Sequence, residues 1–290
     1  MEQKRQSVFV AGSNKISGGA YDTVKVMGSG KIEGDIDANS ISTAGSCRID
    51  GNVKAGKFKT AGSCKVDGNV EAKELTTTGS CQVEGRVRAG HFKCSGSHSV
   101  AKNLIADEIT IAGSFKAGGD VEADKILAKG SFDIGGLLSA DELMIELRGR
   151  SEAREIGGER IEVRRRSEFR EWRSDRFHRK MEKAREKLDR LGIEIDLSDI
   201  FEGLEKFMMS FGGAGWGWGY GSLDTETIEG DDVYLEATKA QVVRGKRIII
   251  GEGCEIDTVE YSESLEIDES ATVKRQLKMG ETEKREEGKP

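Results

Sequence analysis

Residues 45–95 read GSCRIDGNVKAGKFKTA, GSCKVDGNVEAKELTTT and GSCQVEGRVRAGHFKCS, three consecutive segments that align without a gap. The same Gly-Ser start recurs at Gly28, Gly45, Gly62, Gly79, Gly96, Gly113 and Gly130, 17 residues apart each time. A degenerate copy begins at Gly12, with Ile16 and Gly18 in place and one residue missing before Val24 and Val26. A fixed period of this length marks a repeat architecture, in which each segment is one turn that cannot bury its apolar face alone.

Numbering each Gly as position one, position nine is Ile36, Val53, Val70, Val87, Leu104, Val121 and Leu138, and position eleven is alanine in all seven copies. Apolar residues come in pairs two apart, at positions three and five, nine and eleven, fourteen and sixteen, with Lys, Arg, Asp, Glu, Asn and Thr between them. A spacing of two is the inward face of a strand, so each turn holds three short strands and three corners. Glycine at position seven (Gly34, Gly51, Gly68, Gly85, Gly119, Gly136) suits a bend that needs positive φ, and the Gly-Ser pair serves a second corner. The prediction is an all-β parallel β-solenoid over residues 1–166.

Past Gly149 the register decays, although Ile161 and Val163 fit a further strand. Residues 167–222 change character. Phe169, Trp172, Phe177, Met181, Ala184, Leu188 and Leu191 recur at helical spacing, and Ile200, Leu204, Phe207, Met208 and Phe211 form a second short stripe. An α-helical insertion is therefore expected, followed by the stretch GGAGWGWGYG. Paired apolar residues return over 223–278, from Val233 and Leu235 to Ala271 and Val273, as a second solenoid segment. Residues 279–290 read as a disordered charged tail.

The 290 residues carry a formal charge of -7, which argues against nucleic acid as the main partner. No apolar window reaches the length of a membrane span, and the opening MEQKRQSVFVAGS has no secretory apolar core, so a cytoplasmic protein is expected. Five cysteines without a CxxC pair indicate reduced thiols. Cys47, Cys64, Cys81 and His98 share position three, but stacked side chains form a line, whereas zinc needs four ligands around one point. The column reads as a buried ladder of small hydrophobes, with no metal. The acids at position six lie beside the cations at position four, and no corner carries the long loops that build a glycan-cleaving cleft. A six-residue apolar spacing of the acyltransferase kind fails against the period of 17, and His91 between Gly90 and Phe92 reads as a surface histidine. No GxxxxGK loop occurs. Neither an enzyme, a cofactor nor a small-molecule substrate is indicated.

The units GKIEGDI, CRIDGNV, CKVDGNV and CQVEGRV resemble the bactofilins, polymer-forming cytoskeletal proteins. That resemblance implies a right-handed β-helix that assembles into filaments without nucleotide, through contacts between solenoid ends and often near the membrane. End turns are the expected polymerisation interface: Val8, Val10, Ile16, Val24 and Val26 at one end, Leu265, Ile267 and Val273 at the other. The partner is then a second copy of the chain. Arg166, Phe169, Arg170, Trp172, Phe177, Trp216 and Trp218 combine basic and aromatic side chains and are candidates for contact with a membrane surface or a protein. The alternative function is a monomeric solenoid module that binds through this insertion.

Overall fold

The computed structural model describes residues 5–165 and 221–279, which belong to one compact unit. Among them are eleven strands in chain order: β1 (Gln6–Ile49), β2 (Val53–Val66), β3 (Val70–Val83), β4 (Val87–Val100), β5 (Leu104–Ala117), β6 (Val121–Leu147), β7 (Arg150–Arg165), β8 (Ser222–Leu235), β9 (Thr238–Ile250), β10 (Glu255–Ile267) and β11 (Thr272–Lys278). They form a single sheet in which each strand lies beside the next, and every strand pairing is parallel. The fold is the all-β parallel solenoid that the period predicts. The helices expected over 167–191 and 199–211 lie outside the described residues.

The register follows the repeat. Ile36 pairs with Val53, Val53 with Val70 and Val70 with Val87, while Cys47, Cys64, Cys81, His98, Phe115 and Phe132 stack in line. Each apolar column is therefore continuous, and Phe58, Phe92, Phe115, Ile32, Ile49 and Leu104 are fully buried. Stacking identical columns leaves no side chain of one turn without partners in the next, so the core is a line rather than a ball.

The two glycine columns have different reasons from the one expected. Positive φ belongs to position one: Gly45, Gly62, Gly79 and Gly96 lie between +109° and +118°. At position seven only Gly34 has positive φ. Gly51, Gly68 and Gly85 are glycine because a Cβ there would come within 2.4–2.6 Å of the backbone one turn below. Close approach of successive turns, not a left-handed bend, excludes larger side chains at that corner.

Beside this corner runs a polar ladder at position eight. Asp35 Oδ1 accepts from the Asn52 backbone N–H at 2.7 Å and from Asn52 Nδ2 at 3.0 Å; Asn52 Oδ1 in turn accepts from Asn69 N at 2.9 Å and Nδ2 at 3.1 Å. Asn69 Oδ1 accepts from Arg86 N at 3.0 Å, where the ladder stops because arginine has no acceptor. Each amide thus satisfies a corner N–H that no strand pairs.

The two solenoid segments are continuous. Ile161 pairs with Val233 and Val163 with Leu235, in parallel, so β8 takes the place next to β7 that any following turn would take. Nor does the register decay at Gly149: β7 is a full strand whose offset from β6 is 18 residues at Leu138 and Ile156, one more than in the turns before. Leu147 pairs with Arg165, and Arg150 with Ser222. Arg148 and Gly149 join those positions in one turn; residues 166–221 join them in the next. Deleting residues 167–220, so that Arg166 is followed by Gly221, restores a two-residue corner. That variant is expected to keep the β-sheet circular dichroism spectrum and a cooperative thermal transition; loss of cooperativity would show that the excursion is needed for the solenoid to form.

Candidate assembly interface

Inward apolar side chains of the interior turns are covered on both sides, and those of the outermost turns are not. The partly buried hydrophobic residues packed on the core are Val8, Ile16, Tyr21, Tyr261, Leu265, Ile267, Ala271 and Val273, all in the first or last described turns, with Ala123 the one exception. β11 ends the sheet order, so among the described residues its outer N–H and C=O groups have no neighbouring strand. Among the described residues, four of the six exposed large apolar side chains lie at the same places, Phe9 and Met27 at one end and Leu277 and Met279 at the other, while Ile105 and Ile249 lie on interior turns.

Of the expected interface residues, Val8, Ile16, Leu265, Ile267 and Val273 are half-buried in these end turns. Val10, Val24 and Val26 are instead 0–2% exposed; Val24 and Val26 are preceded by further strand residues from Gln6 on and are not terminal. A charge at Val24 would disturb the core rather than an end. Phe9 and Tyr21 were missed, although the run Val8-Phe9-Val10 breaks the polar alternation and was a readable signal. Arg166, Phe169, Arg170, Trp172, Phe177, Trp216 and Trp218 lie outside the described residues.

The position-three column is as dry as its sequence implies. Cys47, Cys64 and Cys81 are 4–5% exposed. The neighbouring thiol and burial hold Cys47 above the ordinary range, and at position sixteen burial raises Cys94 to about 12. Such thiols are protonated and unreactive at neutral pH. Among the described residues no group of three or more His, Cys, Asp or Glu is arranged to hold a metal.

His98 is the misfit in this column. Its ring lies 5.0 Å from Phe92 and stacks on Phe115 at 6.0 Å, and its Nε2 has no partner. Burial lowers its pKa from 6.5 to about 4. The neutral form is required in the folded state, so the unfolded chain binds the extra proton between those values and stability falls as the pH drops below 6.5. Between pH 7.5 and pH 4 the wild type is expected to lose about 3 kcal/mol more than a His98→Leu variant, measured by urea unfolding. Equal losses would show that His98 is not buried as a neutral ring.

Outside, charges are laid in ladders. Lys31 Nζ lies 3.3 Å from Glu33 in its own turn and 2.7 Å from Asp50 in the next, and Arg48 repeats this with Asp50 at 2.9 Å and Asp67 at 2.7 Å. Lys31 and then Arg48 hold the Asp50 carboxyl below the usual range. Exposed pairs of this kind are worth little singly. A tighter cluster surrounds the point where the chain leaves the sheet: Glu146, Glu162 and Glu236 are 4–6% exposed, with Arg148 on Glu146 at 2.6 Å, Arg164 on Glu162, and Tyr234 Oη donating to Glu236 at 2.6 Å.

The bactofilin family model, described as polymer-forming cytoskeletal, matches residues 4–88. The uncharacterized protein YhbF of Bacillus subtilis (strain 168) is 40% identical over 91 residues, 31% of this chain and 39% of that protein. YhbE of the same organism is 49% identical over 57 residues, 20% of this chain and 24% of that protein. The similarity thus spans about two fifths and about a quarter of those relatives' lengths. No solved structure matches. Family and fold together fit a polymer-forming cytoskeletal protein, and among the described residues no helix is long and apolar enough to cross a membrane.

Proposed function

We propose that the chain is a non-enzymatic cytoskeletal or scaffold protein of the cytoplasm that assembles into filaments by stacking solenoid ends, without nucleotide. The supporting observation is the confinement of half-covered core side chains to the outermost turns. A second copy placed on such an end covers those side chains and pairs the free strand edge, repeating what each turn already does for its neighbour.

Assembly through such end contacts should give polymers that form above a critical concentration and dissolve below it. Pelleting of purified protein over a concentration series, with and without ATP or GTP, tests this: a threshold that nucleotide does not move is expected. Protein that stays monomeric at every concentration would reject assembly and favour a solenoid module that binds other partners.

A further inference from the structure

Charge is divided unevenly along the solenoid. Residues 5–117 hold 15 Lys and Arg against 11 Asp and Glu, whereas residues 118–165 and 221–279 hold 15 against 25. One end is positive and the other strongly negative. On two outward columns the signs alternate turn by turn and cancel locally: Lys57, Glu74, His91, Glu108 and Lys125 follow one another at position thirteen, and Asp37, Lys54, Glu71 and Arg88 at position ten.

Position four behaves differently. Lys31, Arg48, Lys65 and Lys116 are its charged members through the first half. From the next turn it changes sign, Lys116 stacking on Asp133, Asp133 on Glu152 and Glu152 on Asp224. Lys239 interrupts before Glu255. This column borders a concave strip in each half, floored by the position-two serines and position-three side chains in the first and lined by Asp133, Glu152, Asp224 and Glu255 in the second. Position six compensates cations of the first half through Glu33, Asp50, Asp67 and Glu84; in the second half Arg154 and Lys274 balance Glu226 and Asp257 there, so the acidic excess of that strip is carried by position four.

We propose that this face is a lateral docking surface for a second copy of the chain, laid antiparallel so that the basic half of each solenoid faces the acidic half of the other. A block of one sign followed by a block of the opposite sign is self-complementary under a two-fold axis, which yields an isologous pair. A parallel pair would set like half against like half. The axis falls near Lys116 and Asp133, where the sign changes. This contact uses the side of the solenoid and is independent of the end contact proposed above.

Mass per unit length of filaments at about 50 mM and about 500 mM NaCl tests the proposal. Double-width filaments are expected at low salt, separating into single ones at high salt because exposed charges are screened. The triple variants Lys31→Glu/Arg48→Glu/Lys65→Glu and Asp133→Lys/Glu152→Lys/Asp224→Lys should each form single filaments only. Mixed together, or with all six changes in one chain, they should pair again. Single-width wild-type filaments at low salt, or pairs that persist in both reversed variants, would overturn it. Because both triples remove ion pairs within the solenoid, Asp224→Asn/Glu255→Gln, which loses only the exposed pairs with Arg150 and Lys239 and reverses no charge, gives a milder check, expected to lower the salt at which pairs separate by about twofold; an unchanged salt midpoint counts against the face. If the protein forms no filaments, the end contact fails alone, and lateral pairing is read as a salt-sensitive dimer by sedimentation, its absence at low salt counting against pairing.

Discussion

Arginine at Ile267 and Val273 is expected to abolish filaments while leaving the solenoid folded. Both side chains belong to the last described turns and are only half covered, so a long cation there can reach water along its own stem. In the proposed end-to-end contact the same position is sealed by the neighbouring copy, and an unpaired charge must be desolvated. A penalty of about 3 kcal/mol raises the critical concentration roughly a hundredfold, and two substitutions compound it. Ile16→Arg should act in the same way from the other end. The control is Val66→Arg, an interior position at 0% exposure, which should unfold the protein rather than shorten its polymers. Pelleting and thermal unfolding of the same preparations separate the two effects. Filaments forming at the wild-type threshold in the end variants would remove those side chains from the contact.

The second large effect concerns the corner glycines. Gly62 combines φ of +118° with a site where a Cβ would lie 2.3 Å from the Gly45 carbonyl oxygen; Gly34 has φ of +97° but open space around it. Gly34→Ala therefore suffers the conformational cost alone, about 1–2 kcal/mol. Gly62→Ala adds a backbone collision that can be relieved only by moving one turn off another, and a loss above about 4 kcal/mol is expected. Since each turn touches only its neighbours, such a break in the middle should also make unfolding less cooperative. Urea denaturation of the two variants measures the difference. Equal losses would mean that the spacing of turns at this corner is not what demands glycine.

Much of the fold was legible in residues 45–95 because a repeat of 17 states its own register: once Cys47, Cys64 and Cys81 align, every inward column follows. Legibility failed where the repeat did. Val24 and Val26 read as terminal in the sequence because the strand residues from Gln6 precede the first Gly-Ser and leave no trace in the period. The pairing of β7 with β8 was hidden because partners such as Ile161 and Val233 are 72 positions apart, and nothing local records that closure. At the corners, composition showed two glycine columns but not which one turned the chain; Gly68 is there for the approach of Gly51, a tertiary fact. Asn52 and Asn69 were passed over as solvated polar residues, since a side-chain ladder and a wet surface have the same composition.

The central claim is that copies stack along the solenoid axis, and X-ray diffraction from aligned filaments tests it most directly. Strands in a parallel solenoid run across its axis with turns about 4.8 Å apart, so end-to-end stacking places a sharp reflection near that spacing on the meridian. The same reflection on the equator, or spread without orientation, would mean that the solenoids lie across the filament or do not order within it, and end-to-end assembly would be contradicted.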